Sequence, residues 1–291
     1  MTLTNETLRI LSIGAHPADI FDQSGGTMAH HVSKGDYVGC AVLTHGARVH
    51  DKVISDEMHK RSEVPEAAEL TALMSERADV KAQETREACL LLGVEEIHFF
   101  GADDALLQVE PVLVKRLARL LREFRPNVVL THFPREGDGL VNPHAVTGHI
   151  VIAAMSLAAA VDPGDRNPPH KVGQVFYFGT GAAAIPRRQV WDAHGGYYND
   201  VFIDITDVVD KKIACLDALV SQGYGGAYAR KRIETSDGAM GMAGGVPYAE
   251  AFISLNAETH YTLPLTTYAL EGTRESDHDR LQRVSYRVKV N

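Results

Sequence analysis

Short apolar runs alternate along this chain with longer stretches of helical spacing, and that alternation leaves few folds open. "RILSI" (9–13) and "YVGCAVL" (37–43) read as buried strands. Between them, 24–34 reads as a helix with Ser24 as its cap and Gly35 as its stop. A strand, helix and strand of these lengths make a βαβ crossover, which places both strands parallel in one sheet. The pattern recurs. A helix over 80–92 ends at Gly93, and "EIHFF" (96–100) is a strand. Leu113, Leu117, Leu120, Leu121 and Phe124 share one helical face, Pro126 ends that helix, and "NVVLTHF" (127–133) follows as a strand. Further on, 144–160 reads as an apolar helix, "VFYF" (175–178) and "VFIDI" (201–205) as strands, and 207–222 as a helix closed by Gly223. The expectation is one α/β domain over 1–291, a doubly wound, mostly parallel, Rossmann-like sheet with helices on both faces.

Two stretches fall outside that rhythm. Residues 49–79 are charged and irregular, long enough for a lid, and 223–250 is a Gly-rich loop with a cationic centre. A charged tail runs over 272–291. The formal net charge of -9 argues against nucleic acid or an anionic membrane as partner, because both favour a basic face. A pocket within such a chain can still be basic, so a small anionic substrate stays open. No window approaches the length of a membrane span, and the N-terminus has no apolar signal core. Cys40, Cys89 and Cys215 lie far apart in apolar runs, which suits core thiols in a reducing cytoplasm.

In a doubly wound sheet, ligands bind at the carboxyl ends of strands. Here those ends carry His16, then Thr44-His45-Gly46, then Thr131-His132. His16 and Asp19, three residues apart in a turn fixed by Pro17, can converge on a divalent cation. A third ligand should come from another strand end, and His144, opening a helix after the Thr131-His132 strand, fits. On spacing alone, a solvent-facing turn with a capping aspartate remains the alternative. His30 and His31, further along the first helix, read as surface or packing residues.

The motifs together resemble the LmbE-like, or PIG-L, superfamily of zinc-dependent de-N-acetylases. Its AHPDDE, GG, G-x-x-V and T-x-G signature reads here as Ala15-His16-Pro17-Ala18-Asp19, Gly25-Gly26, Gly35, Val38 and Thr44-His45-Gly46. Glu84, Asp104, "THFP", "NPHAVTGH", "VFIDITDVVDKKIACLDALVSQ" and "YAEAF" are further matches, so the resemblance spans roughly 8–255. It implies an LmbE-like fold with a metal-binding core over 8–165. It also implies Zn2+, or another divalent ion, held by His16, Asp19 and His144. The departures are as informative. The family's general base is replaced by Ala18, the acid before its last ligand by Pro143, the histidine of H-x-S-Q by Leu219, and the acid after T-x-G by Ala47. The AHPAD variant is similar to that of the 4-oxalomesaconate (4-carboxy-2-hydroxymuconate) hydratase branch, whose chemistry releases no amine.

The expected function is therefore a zinc-dependent hydratase acting on an unsaturated, carboxylated 2-oxo acid in aromatic-compound catabolism. A de-N-acetylase acting on an amino sugar or amine and a non-catalytic metal-binding member are the alternatives. Candidates for the base or proton donor are His50, Asp51, Glu136 and Asp138, with His50 and Asp138 favoured. His132 either donates a proton or satisfies a loop carbonyl. Arg48, Arg230 and Arg232 are candidate anchors for substrate carboxylates, and Lys231 reads as a solubility residue. A homo-oligomer is compatible with the acidic surface and long tail.

Overall fold

The computed structural model describes residues 6–60, 63, 65–137, 141–179 and 198–287. Among these, seven strands form one sheet: β1 (Arg9–Gly14), β2 (Tyr37–Thr44), β3 (Glu96–Ala102), β4 (Val128–Thr131), β5 (Gln174–Phe178), β6 (Val201–Asp204) and β7 (Ala249–Ser254). Their spatial order is β3-β2-β1-β4-β5-β7-β6. The first five pair in parallel, and β7 runs antiparallel to both β5 and β6. The chain steps outward from β1 to β2 and β3, then returns to place β4 on its other side. That reversal opens a crevice beyond the carboxyl ends of β1 and β4.

The sheet is packed on both faces. Ile10 of β1 turns to one side, where α1 (Asp19–Lys34), α3 (Ala67–Leu92) and α6 (Val209–Ala218) contribute Phe21, Met28, Ala88 and Leu216. Leu11 and Ile13 turn to the other, meeting Leu117 and Leu121 of α4 (Pro111–Phe124) and Ile150 of α5 (Pro143–Ala158). This period-2 alternation is what a strand covered on both faces requires. All three cysteines are free and buried. No helix among the described residues is long and apolar enough to cross a membrane.

Several elements differ from the sequence expectations. The first helix begins at Asp19, so Ser24 is an internal residue rather than a cap. Its hydroxyl is buried, donates to the Ile20 carbonyl at 2.8 Å and lies 2.9 Å from the Ser12 hydroxyl. Gly25 and Gly26 are mid-helix because the helix is pressed onto its neighbours. A Cβ at Gly26 would lie 2.5 Å from Ile205 Cγ2. The stretch 49–79, expected to be irregular, is largely helical: α2 covers Lys52–Lys60 and α3 begins at Ala67. Its Ala, Glu, Leu, Met and Arg content supports helix, but the exposed surface leaves no apolar stripe to read.

The Gly-rich stretch 223–250 likewise folds into α7 (Ala227–Thr235) and α8 (Asp237–Gly244) before entering β7. Gly241 has no room for a side chain against the backbone at Val246 and Pro247, so this glycine serves packing rather than a loop. The helix expected over 207–222 stops at Ala218 and resumes as a 3-10 turn, Val220–Gln222. The charged C-terminal region holds two exposed helices, α9 (Thr267–Gly272) and α10 (Asp277–Val284), capped by Thr266 and Ser276.

One buried ionic knot joins the helical layer to the added strand. The Lys212 ammonium lies 2.9 Å from Asp237 and 2.8 Å from Glu250, and Glu250 accepts the backbone N–H groups of Gly26 and Thr27. Burial, reinforced by Glu250, pushes the Asp237 carboxyl up to about 7 despite the lysine.

Candidate active site

The turn after β1 folds back on itself. The His16 backbone N–H donates to Asp19 Oδ2 at 2.7 Å, so the carboxylate caps the turn from inside. The same oxygen lies 3.2 Å from His16 Nδ1, 3.1 Å from His132 Nε2 and 3.6 Å from His144 Nε2. Three elements are thereby brought together: His16 and Asp19 from the end of β1, His132 from the end of β4, and His144 from the first turn of α5. The Asn142 side chain caps α5 by accepting the His144 N–H at 2.9 Å. Gly148 lets that helix approach, since a Cβ there would lie 2.6 Å from the His132 carbonyl.

Glu136 closes the cluster on its far side. It receives His144 Nδ1 at 2.7 Å and stands 3.4 Å from His132 Nδ1. Four of these five side chains are buried, and His144 is half-buried at the opening. Burial raises the two carboxyls, but the surrounding histidines outweigh it. Asp19 is held well below the carboxylate range, and Glu136 is drawn down to about 2. Burial lowers His144, yet Asp19 and Glu136 overcome it and lift it to about 10.

The side chains of His16, Asp19 and His144 could hold a metal ion. Their ligand atoms lie within 4.8 Å of one another, and His132, Glu136 and His144 form a second such group that shares His144. His16 Nε2 is buried without a hydrogen-bond partner among the described residues. An unsatisfied buried nitrogen costs about 1–3 kcal/mol, which a cation ligated there would recover. Two imidazoles and a carboxylate suit zinc and several other divalent ions.

His50 stands at the rim, its ring centroid 4.1 Å from that of His16. Partial desolvation, then the neighbouring His16, push it down to about 4, so its imidazole is neutral at neutral pH. Asp138 lies outside the described residues. Asp51, the other loop acid, is buried at 1 % exposure, caps α2 and is bound by Arg77. Those partners occupy it as a structural anchor.

The three candidate anchoring arginines each meet a carboxylate. Arg48 pairs with Asp103 at 2.6 Å. Arg232 makes a two-pronged contact with Asp22, one turn along α1 from Asp19. Arg230 is paired with Asp217, so its guanidinium meets α6 rather than the histidine cluster. A third group that could hold a metal, His45 with Asp103 and Asp104, is already engaged. Asp103 meets Arg48, while Asp104 accepts the Arg48 and Val49 N–H groups.

Ala18 is 1 % exposed and packs into the core below α1, a methyl where the related signature carries an acid. Leu219 and Ala47 are buried as well. Lys81, in the long polar helix α3, was not indicated by any spacing, yet it touches the His50 backbone.

Residues 11–155 match the family model for GlcNAc-PI de-N-acetylase, PIG-L. This chain carries a PIG-L family domain. The domain contains the whole histidine–carboxylate cluster. A 4-oxalmesaconate hydratase of Pseudomonas putida is 27 % identical over 219 residues, 74 % of each chain. A 1D-myo-inositol 2-acetamido-2-deoxy-alpha-D-glucopyranoside deacetylase of Segniliparus rotundus is 26 % identical over 268 residues, covering 75 % of this chain and 78 % of that one. Among solved structures, the 4-carboxy-2-hydroxymuconate hydratase GalB of Pseudomonas putida superposes with a TM-score of 0.65 at 22 % identity, over 88 % of this chain and 99 % of that one. The N,N'-diacetylchitobiose deacetylase of Pyrococcus horikoshii does so with 0.64 at 20 %, over 84 % and 83 %. Both share the doubly wound α/β fold described above. PIG-L relatives of this chain are thus enzymes, of hydratase and deacetylase type.

Proposed function

We propose that this PIG-L protein is a zinc-dependent hydratase that adds water across the C=C bond of an unsaturated, carboxylated 2-oxo acid, within aromatic-compound breakdown. The observation that carries the reading is Ala18. Amide hydrolysis needs a base for water and an acid for the departing amine, and the position of the family's base is a buried methyl. The carboxylates of the cluster, Asp19 and Glu136, are both tied to imidazoles. Similarity to a hydratase over three quarters of the chain supports the same reading.

In this scheme His16, Asp19 and His144 hold the ion. When bound there, such an ion would supply Lewis-acid stabilisation for negative charge on the substrate's oxo oxygen. Glu136 would accept a hydrogen bond from His144 Nδ1–H and so orient Nε2 toward Asp19, where ligation would displace the Nε2 proton. His50, neutral at its pKa of about 4, takes a proton from the attacking water as the new C–O bond forms. His132 returns a proton to the neighbouring carbon. Asp138 is the second candidate for the base. Arg48 and Arg232 anchor substrate carboxylates by exchanging their present aspartate partners, with Arg230 in a more distant role. We place the enzyme in the cytoplasm, as a homo-oligomer.

A second reading, metal-dependent de-N-acetylation, is favoured by the comparable similarity to deacetylases. There His50 replaces the missing base. The two readings part at the products. Zinc-loaded protein should be given unsaturated oxo-dicarboxylates and oxo-tricarboxylates while ultraviolet absorbance is followed. N-acetyl sugars are run beside them with amine detection, and His16→Ala serves as the metal-site control. Loss of the conjugated chromophore without amine supports hydration. Amine release makes the protein a deacetylase, and metal content with neither activity makes it a binding protein.

A further inference from the structure

The loop that presents His50 is held from beneath by α3. Lys81 is fully buried, 0 % exposed, in a helix whose other buried residues are chiefly apolar or small. A buried ammonium is costly unless each of its three donors finds an acceptor. Here it donates to the His50 carbonyl at 2.9 Å and Ser221 Oγ at 3.1 Å, and Asp51 Oδ2 completes the clamp as an ion pair at 3.5 Å. The aliphatic stem passes below the other end of the loop, where a Cβ on Gly46 would lie 3.6 Å from Lys81 Cδ. One turn earlier, Arg77 grips both oxygens of Asp51 at 3.2 and 3.1 Å. From the opposite side Asp104 holds the Arg48 and Val49 N–H groups. With the backbone of 46–51 pinned in this way, the His50 side chain is what projects from it to meet His16.

We infer that Lys81 is a positioning residue for His50: its ammonium, clamped among the His50 carbonyl, Asp51 and Ser221, sets where the imidazole stands beside the metal-binding histidines. The consequence for catalysis rests on the reading of His50 as base. The geometric statement does not. Ser221 extends the clamp, since Glu84 accepts both its N–H at 2.9 Å and its hydroxyl at 2.6 Å. The 3-10 turn after α6 is thereby joined through Lys81 to the rim. A leucine would fill the same volume, but it would leave the His50 carbonyl without its donor and Asp51 with one cation fewer.

The test uses the zinc-loaded full chain with carbon-labelled histidine rings, observed by NMR. The His50 signal is assigned by its disappearance in His50→Ala. Lys81→Met keeps the length and removes the charge, and Lys81→Arg keeps the charge. The expected result is a shifted or broadened His50 signal in Lys81→Met, with those of His30 and His170 unmoved and the native form restored in Lys81→Arg. On whichever substrate that screen identifies, kcat is expected to fall about 10- to 100-fold in Lys81→Met while KM changes by less than about twofold, the range for a displaced catalytic group. An unmoved His50 signal in folded Lys81→Met overturns the proposal. Should that variant not fold, Ser221→Ala removes one of the three anchors, and an unmoved signal there overturns it equally. Full activity in His50→Ala overturns the base assignment alone and leaves the ring signal to decide on Lys81.

Discussion

His132 and His144 lie face to face, ring centroids 4.1 Å apart and 17° from parallel, with one carboxylate, Glu136, bridging their Nδ1 edges. The carboxylate holds both stacked rings by their Nδ1 edges. The same contact fixes which nitrogen of His144 faces Asp19.

Removing the bridge should therefore be felt as lost metal affinity. Glu136→Gln keeps the size and drops the charge, so His144 loses both its orientation and part of its basicity. The expected loss is about 10- to 100-fold in zinc affinity, the usual range for a residue that orients a ligand. Competition against a chelating dye measures it. Unchanged affinity would mean that Glu136 does not orient the ligand.

His50 should matter to turnover and not to metal. In His50→Ala, zinc content stays at the wild-type level while kcat drops by about 10²- to 10⁴-fold, the contribution of a positioned base. Metal analysis and steady-state kinetics on the same sample test this. A loss of zinc in this variant would move His50 into the ligand set.

A third prediction concerns Gly26, which lies against Ile205. A Cβ there would meet Ile205 Cγ2 at 2.5 Å, so Gly26→Ala must push α1 away from Ile205, the residue after β6. Overpacking of this kind costs about 1–3 kcal/mol. Urea unfolding monitored by circular dichroism should show a lower midpoint with an unchanged slope. A stabilised variant would mean that the helix has room to move.

Away from the histidine–carboxylate cluster, Asp237 gives stability a pH dependence. Its folded pKa, about 7, lies above that of an exposed aspartate. A group raised on folding contributes stability that is fully present below its unfolded pKa. That contribution is lost as pH rises through the folded value, here between about pH 4 and 7. The slope it adds is at most about 1.4 kcal/mol per pH unit. Asp237→Asn should flatten the pH profile of urea stability across that window, and an identical slope in the variant would remove Asp237 from the account.

The cluster was legible because a doubly wound sheet sends its chemistry to strand ends, and His16, Asp19 and His144 could be placed there from spacing and motif. His132 and Glu136 were visible only as loop residues of uncertain use, since the contact that joins them to Asp19 and His144 is between elements. Lys81 could not be read at all. It sits in a helix whose surroundings are polar and exposed, where one more lysine looks like solvation. Ser24-Gly25-Gly26 reads as a helix start by local preference, but burial against Ile205 and Ser12 places it inside the helix. Residues 227–244 are helical although rich in glycine, because close backbone packing asks for small residues in the same way that a loop does.

β7 lies between β5 and β6 although it is the last strand in chain order among the described residues. Its Glu250 reaches back to the N–H of Gly26, 224 residues earlier. Contacts of such separation are slow to form, because much chain must be brought to order before they give any return. A ribosome therefore releases most of this protein before the far edge of the sheet can close. Until then β5 presents an open edge to whatever strand is near. The exposure ends only when Ala249–Ser254 has been made and has docked.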